Sequence, residues 1–423
     1  MLLDRSKAPE FHIPENFELS NPEKLETPAG VPVYFFQTPL LEAIKIEIVS
    51  ISSRIHLPLS KTLVPSFTLQ LLTEGTTSMD EEQLSEFFDF HASEVHPFSG
   101  FSQEGISLLT TKKHLSKVLP VFLSLFTQAI FPEEKITKKQ ALRKVGLRLE
   151  MEKSASRASM LFRNSLFGPN HPYGQEVKEH HIEEITRKDL LEYYQNYLWN
   201  EADILISGDF NSGEIRALVQ DLGAIPKVHV QRLPFSHEIH SIESITEEKP
   251  EALQTSIRIG DWSIPKTDPD FIPLTVFNTV LGGYFGSRLI KNIREDKGHT
   301  YGIHSSLGEI DNYNYWAISA DVQKKFKNEV IEEIYKEIQT LVNQPVGKEE
   351  LEQVRNYLIG HMVGRFSSSF DLVDRFKSVH FSGLDFDFYR KQLEFFRKFS
   401  SEDLIQIGQR YFSKGKFQEV LVG

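Results

Sequence analysis

The sequence predicts an α+β fold made of two homologous α/β-roll domains, each a curled, mostly antiparallel sheet covered by helices, facing each other as a clamshell. Three observations predict it: the length, the alternation of strand and helix patterns, and landmarks that recur in both halves. With 423 residues, the chain is too long for one hydrophobic core and suits two domains of about 200 residues each.

Strand and helix patterns alternate along the chain. Apolar and charged residues alternate from Ile44 to Ile48, as in a half-buried strand. Apolar residues recur at helical spacing over 115–129, and again over 326–341 after a strand-like segment at 316–322. This order predicts sheets covered on one face by helices, and two such rolls would enclose a cavity that binds an extended chain by strand addition.

Three landmarks recur in the same order with nearly one offset. A proline before a helix start recurs after 213 positions, a Thr/Ser-x-x-Asp helix start after 214, and a glycine closing an apolar segment after 208: Pro132 and Pro345, Asp189 and Asp403, Gly75 and Gly283. Helix-start signals are common singly, but their shared order and offset predict a duplication. We expect domains at 1–225 and 246–423, joined by the polar linker 226–245.

Composition excludes several functions. A net charge of −12 argues against nucleic acid or an anionic membrane as partner. The absence of cysteine removes disulfides, thiolate nucleophiles and cysteine-based zinc sites. The N-terminal segment lacks the apolar core of a signal peptide, and no apolar stretch approaches the roughly 20 residues of a membrane span. These features predict a cytoplasmic protein, with a periplasmic location left open.

Two groups of motifs carry a resemblance to a known family. The second half contains LGGYFGSRLIKNIREDKGHTYGIHSSL from Leu281 to Leu307. The first half contains FGPNHPYGQEV, ITRKDLLEYYQNYL and ILISGDF between Phe167 and Phe210. In content and order these motifs resemble the insulinase/pitrilysin-type zinc peptidases, including the mitochondrial processing peptidases, and the resemblance covers nearly the whole chain.

The resemblance implies a zinc motif that this chain has lost. Active members carry H-x-x-E-H on a helix, followed by Gly-Thr, and a further Glu roughly 75 residues on as the third ligand. Counting back from Gly75-Thr76 places Ser66 and Gln70 at the His positions and Leu69 at the general base. The third-ligand region falls on 145–147, with Glu150 and Glu152 nearby but displaced. Because these residues are poor ligands, we expect no metal in this chain.

The second signature is retained. In the family, an Arg and a Tyr seven residues later face the zinc across the cavity, and here they fall on Arg294 and Tyr301. The resemblance implies that Tyr301 donates to the oxyanion and that Arg294 holds substrate carbonyls. A glycine-rich turn that brings the backbone close to an extended peptide precedes them: Gly282, Gly283, Tyr284, Phe285 and Gly286.

The combination resembles the two-chain members of the family. We therefore expect a zinc-less subunit that pairs with a zinc-bearing homologue to hydrolyse peptides or unfolded polypeptide. Zinc is expected in the partner subunit alone. One alternative is a non-catalytic structural or peptide-binding homologue, and another is an active enzyme whose metal has moved to a site containing Glu150 or His171.

Other motifs favour ordinary structural roles. His237-Glu238-Ile239-His240 lies in the predicted linker without a surrounding pocket, and His180-His181 lies at a helix entry. His91 and His96 share no metal-ligand spacing with one another or with His171. GGYFG lacks the Gly-Lys-Ser/Thr of a phosphate loop, and no Ser-His-Asp order is readable.

Overall fold

The structure is a computed structural model that describes residues 19, 21–230, 239–366 and 368–423. Within these residues the strands are β1 Glu23–Glu26, β2 Pro32–Gln37, β3 Ala43–Ile51, β4 Glu94–Ser99, β5 Gln103–Thr111, β6 Asp203–Gly208, β7 Ser244–Glu247, β8 Gln254–Trp262, β9 Thr300–Ile310, β10 Tyr313–Gln323 and β11 Gln418–Val422.

The helices of the described residues are α1 Val64–Gln70, α2 Glu81–Phe90, α3 Leu115–Thr127, α4 Glu133–Glu152, α5 Ser154–Phe167, α6 Glu179–Glu183, α7 Arg187–Asn196, α8 Ser212–Asp221, α9 Phe271–Asn278, α10 Lys327–Asn343, α11 Lys348–Gly364, α12 Ser369–His380, α13 Asp387–Lys398 and α14 Ser401–Tyr411. Two short π-helical segments, Thr279–Gly283 and Ile290–Asp296, follow α9.

The strands form two sheets, one in each half of the chain. The first has the order β1-β2-β6-β3-β5-β4, and its pairs are antiparallel except β2 with β6. The second has the order β7-β11-β8-β10-β9, and its pairs are antiparallel except β7 with β11. Strands β4 and β9 are therefore each at an open sheet edge. The predicted α+β class with two curled, mostly antiparallel sheets is confirmed.

Local sequence signals account for several element boundaries. The alternating segment at 44–48 lies in β3, and the apolar helical pattern at 115–129 forms α3. Helix α7 begins after Thr186, whose hydroxyl accepts from the Asp189 amide while the Asp189 carboxylate accepts from the Thr186 amide. Ser400 and Asp403 form the same reciprocal capping at α14. Both helix starts are fixed by residues three positions apart.

Each sheet is covered on its second face by a helix from the other half. Helix α5 packs against β8 and β11 of the second sheet, and α12 packs against β6 of the first sheet. In β3 and β8, side chains on both faces are buried, as expected for strands covered on two sides. The sequence predicted helices on one face of each sheet only. The exchange of helices, in which α5 covers the second sheet and α12 covers the first, depends on long-range packing.

An ion pair and a histidine–carboxylate hydrogen bond connect α12 to the first sheet. The Lys377 ammonium lies 2.7 Å from the Glu47 carboxylate of β3, and His380 Nε2 lies 2.7 Å from the Asp203 carboxylate of β6. Glu47 is nearly fully buried, so its charge needs such a partner. The two halves are therefore held together by charge pairing as well as by apolar packing.

The predicted borders at 225 and 246 stay a prediction. Part of the predicted linker, including His237 and Glu238, lies outside the described residues, as do the first 18 positions. Ile242 donates its amide to the Ser165 carbonyl of α5 at 2.8 Å, so the chain runs along that helix before β7 begins.

Candidate functional site

Helix α1 carries the three positions where the resemblance places a zinc motif. Ser66 donates its hydroxyl to the Leu63 carbonyl at 2.9 Å, and Gln70 is exposed. Leu69 is fully buried in the core of the first half. A serine satisfied by its own helix, a neutral amide and a core leucine offer neither a set of zinc ligands nor a general base. The residues at this position do not fit the metal that the family implies.

Helix α4 carries the region expected to supply a third ligand. Val145 is 54% exposed and Leu147 is buried. The displaced Glu150 is held by Arg143 through two hydrogen bonds of 3.0 and 3.2 Å. Within residues 21–230, 239–366 and 368–423, no group of three or more His, Cys, Asp or Glu could hold a metal ion.

The alternative of a relocated metal at His171 meets a structural obstacle. His171 is fully buried, and its ring stacks on Phe167 with centroids 4.8 Å apart. Its Nδ1 accepts from the Tyr173 amide at 3.1 Å. Because His171 Nδ1 accepts a backbone hydrogen bond and the ring packs in an aromatic cluster, His171 has a structural role in the turn after α5.

His91, His96, His180 and His181 each make local contacts. His91 Nδ1 lies 2.8 Å from the Phe87 carbonyl oxygen, and His96 lies 2.9 Å from the Glu94 carboxylate. The rings of His180 and His181 meet edge to face within the short helix α6, with centroids 4.1 Å apart. These local contacts are the ones expected of structural or solvent-facing histidines.

The Arg294 and Tyr301 signature lies around the start of edge strand β9. Both the π-helical segment 290–296, which carries Arg294, and the segment 279–283 pack against β9. Arg294 is exposed, and its guanidinium lies over the Phe285 ring at 5.0 Å from the centroid. Phe285 is itself 63% exposed. A cation over an exposed ring is held in place without losing its ability to donate hydrogen bonds.

Tyr301 lies on a β-bulge. Thr300 pairs with Val322 and Ile303 with Ala320, so Tyr301 and Gly302 of β9 both lie opposite Asp321. The Tyr301 side chain is 90% exposed. A bulge at a sheet edge turns a side chain away from the regular pleat. Its phenol is therefore presented to the surroundings rather than packed into the fold.

The bulge is locked by Thr300, a residue that sequence reasoning missed. Its hydroxyl donates to the Asp321 carbonyl at 2.7 Å and accepts from the Gly302 amide at 3.1 Å. The Thr-Tyr-Gly order is visible in the sequence, but the bulge depends on the pairing of β9 with β10. Such a pairing is not readable from neighbouring residues alone.

The glycine-rich turn packs against its own strand. A Cβ on Gly282 would lie 2.7 Å from the Ser305 amide nitrogen of β9, so only glycine fits there. Gly283 is exposed, and a Cβ on Gly286 would meet the Tyr284 ring at 2.8 Å. Tyr284 packs against Tyr357 with ring centroids 4.7 Å apart. The close approach of Gly282 to Ser305 thus places the turn that contains Phe285 against β9, the strand that carries Tyr301.

Among the helices of the described ranges, none combines the length and the apolar character that crossing a bilayer needs.

Comparison with known proteins finds relatives that are described as peptidases or inactive peptidases. Residues 184–358 match the family described as the Peptidase M16 inactive domain. The chain is 20% identical to the uncharacterized zinc protease YmxG of Bacillus subtilis over 71% of its length and 73% of that protein's. It is 23% identical to the probable inactive metalloprotease YmfF of the same organism over 48% of each chain.

The fold is shared with a solved structure of the same description. The peptidase M16 inactive domain from Pseudomonas fluorescens superposes with a TM-score of 0.84, at 19% identity, over 96% of this chain and 98% of that one. The matched segment and these relatives confirm the predicted resemblance to the insulinase/pitrilysin-type (M16) peptidases, and the solved structure shows that the fold is shared.

Proposed function

We propose that this chain is the zinc-less subunit of a two-chain metallopeptidase, in which a zinc-bearing homologue supplies the nucleophile. Positions 66, 69 and 70 cannot activate water, so bond breaking requires a second polypeptide. This chain supplies Arg294 and Tyr301 for peptide or unfolded-polypeptide substrates. Both the partnership and the two residue roles are part of the proposal.

The observation that carries the proposal is the exposure of Tyr301 on a locked bulge. A tyrosine kept only for packing would bury its ring, yet this one is 90% exposed. Thr300 fixes the backbone on either side of it. A rigid backbone that presents a phenol to the outside supports a role in contacting a ligand rather than in stabilising the fold.

The chemistry available at this edge suits amide hydrolysis. The Tyr301 hydroxyl can donate to the oxygen that becomes negative when a peptide carbonyl is attacked, a contribution of about 3 kcal/mol for one well-placed donor. The Arg294 fork can donate to neighbouring substrate carbonyls and fix their orientation. Edge strand β9 has an unpaired side along which an extended peptide could add.

A second candidate function is peptide binding without catalysis. Helix α4 exposes an apolar row, with Leu142 61%, Val145 54% and Leu149 52% exposed. These residues are spaced by three and four positions and lie on one helix face. An exposed apolar row of this kind favours contact with a partner or an extended substrate, and it needs no hydrolysis.

Reconstitution separates the two candidates. This chain, an H-x-x-E-H homologue and their mixture are assayed on unfolded polypeptide, with co-elution measured by size-exclusion chromatography. The proposal predicts a stable pair, with activity in the mixture alone and loss of it in Arg294→Ala. Arg216→Ala, an exposed arginine on α8, is the matched control and should leave activity unchanged. Peptide binding by the single chain, with no pair formed, would favour the non-catalytic role.

A further inference from the structure

A cavity unrelated to the Arg294 and Tyr301 edge lies beside α4 and α5. Its volume is about 300 Å³, at the small end for a ligand site. It is bounded by the turn after β3, the β4–β5 turn, α4, α5 and the loop after α5. Its polar lining consists of three arginines, one acid and four neutral residues: Arg54, Arg143, Arg163, Glu150, Thr62, Ser156, Tyr173 and Gln175.

Two arginines of this lining contact the same aromatic ring, that of Phe101. The Arg54 guanidinium lies 4.7 Å from the Phe101 ring centroid, and the Arg163 guanidinium lies 5.1 Å from it. Burial lowers the pKa of both guanidinium groups, and the Arg54 charge lowers the pKa of Arg163 further. Two like charges are therefore concentrated in a partly enclosed space.

These two cations lack the partners that buried charges ordinarily have. Within the described part of the chain, the Arg54 guanidinium donates no hydrogen bond, and Nε of both Arg54 and Arg163 is buried without an acceptor. Among the described residues, the hydrogen bond of the Arg163 side chain is a long one of 3.4 Å to the Ser159 carbonyl. Burying an unpaired cation is costly, so an arrangement of two such groups points to a missing anion.

The neighbouring acids do not supply that anion. Glu150 is engaged with Arg143, and the Tyr173 hydroxyl donates to Asp311 at 3.2 Å. Glu104 accepts from Tyr193, and burial raises the pKa of its carboxyl to about 8. Glu104 is thus mostly protonated at neutral pH and compensates the Arg54 charge only in part.

From this geometry we infer that the cavity is a binding site for a small organic carboxylate with an apolar body. Arginine forks match the two oxygens of a carboxylate. The apolar residues of the wall suit a short hydrocarbon body rather than a bare, strongly hydrated ion: Leu147, Met151, Met160, Pro172 and Val177. The inference is independent of the proposed partnership, since it concerns this chain alone.

The carboxylate has two sources that an experiment can separate, a free organic acid or the carboxyl terminus of a peptide. Isothermal titration calorimetry with the full chain compares hexanoate, N-acetyl-leucine and a leucine-terminated hexapeptide. N-acetyl-leucine amide and a C-terminally amidated peptide lack the charge and test its importance without changing the protein. Inorganic phosphate tests whether any anion suffices.

We expect carboxylates to bind and both amides to fail. Arg54→Met and Arg163→Met should each weaken carboxylate binding by about tenfold or more, because each removes charge-assisted hydrogen bonds. Arg216→Met on the exposed face of α8 should change binding by less than about twofold, as expected for a distant surface site. Tighter binding of the free-terminus peptide than of hexanoate would identify a peptide as the source, and the reverse a free acid.

Stability of the ligand-free protein gives a second, independent readout. If the two charges are unpaired, Arg163→Met should leave the melting temperature unchanged or raise it, because it removes a desolvated cation. A marked fall in melting temperature, with carboxylate binding unaffected, would show that Arg163 is structural and overturn the inference. Equal binding of acids and amides, or phosphate binding as tightly as the carboxylates, would overturn it as well.

Discussion

The Thr300 hydroxyl donates to the Asp321 carbonyl at 2.7 Å, where two residues of β9 lie opposite one residue of β10. The same hydroxyl accepts from the Gly302 amide. Tyr301 lies between the two residues joined by that second bond. The orientation of the phenol is thus set by a neighbouring side chain through the backbone, and Thr300 is a positioning residue.

Thr300→Val should remove both hydrogen bonds while preserving size. We expect the free energy of unfolding to fall by about 1–2 kcal/mol, because the Asp321 carbonyl and Gly302 amide lose their partner. Urea denaturation measures this. Thr137→Val is the control, because that hydroxyl donates to the Glu133 carbonyl on an exposed helix surface. If the two substitutions had equal effects, Thr300 would not be fixing the bulge.

Gly282→Ala should destabilise the turn that carries Phe285. The new Cβ would lie 2.7 Å from the Ser305 amide nitrogen, and the overpacking should cost about 1–3 kcal/mol. Gly360→Ala in α11 is the matched control, since no heavy atom lies within 4 Å of its Cβ position. That change should stabilise by about 0.5–1 kcal/mol through helix propensity. If the packing is as described, thermal unfolding should show a lower melting temperature for Gly282→Ala and a higher one for Gly360→Ala.

Lys377→Met should weaken the packing of α12 on the first sheet. Burial opposes the charge of Lys377, but Glu47 and Asp374 outweigh it and raise the pKa of the ammonium. Removing the ammonium leaves Lys45 as the cation beside the buried Glu47 carboxylate. We expect the free energy of unfolding to fall by about 1–3 kcal/mol.

Lys391→Met is the control for this change. Lys391 is exposed and pairs with Asp387 at 3.1 Å on the surface of α13, so its removal should cost less than about 0.5 kcal/mol. Amide hydrogen exchange in β6 and α12 should rise in Lys377→Met and stay unchanged in Lys391→Met. Unchanged exchange in both would show that apolar packing alone holds the halves together.

Glu104 should make folding stability depend on pH. Burial raises the pKa of its carboxyl to about 8, despite opposing contributions from Tyr193, Arg54 and Ser52. Between an unfolded value near 4.5 and about 8, the native state binds one more proton than the unfolded state. The protonated Glu104 carboxyl therefore contributes its full share of the free energy of unfolding below this pH range. That share is lost as pH rises through the range, by roughly 1.4 kcal/mol per pH unit.

Glu104→Gln tests this dependence, because glutamine stays neutral throughout. The difference in free energy of unfolding between the native protein and the variant should change steadily from pH 5 to pH 8 in chemical denaturation. A difference that is constant over this range would mean that Glu104 is already ionised in the folded protein.

The sequence predicts what neighbouring residues decide. The capping of α7 by Thr186 and Asp189 and the strand at β3 need only short-range patterns, and both were predicted at the right places. The family motifs likewise led to the resemblance to M16 peptidases, because they are contiguous segments. The functional assignments of Arg294, Tyr301 and the glycine-rich turn stay predictions.

Features that join distant positions could not be predicted in this way. The packing of α5 on the second sheet and of α12 on the first depends on which face of each sheet its own half leaves uncovered. Arg54, Phe101 and Arg163 come from three separate elements, and nothing in their local sequences indicates that two guanidinium groups share one ring. The bulge at Tyr301 depends on the pairing register of β9 with β10.

The proposed division of labour is tested most directly by Tyr301→Phe in the reconstituted pair. The variant keeps the ring and loses only the hydroxyl donor. We expect kcat to fall by about 100-fold with KM nearly unchanged, because the hydroxyl acts on the charge that develops in the transition state. If steady-state kinetics show the same kcat for the variant pair and the native pair, this chain does not contribute its phenol to catalysis.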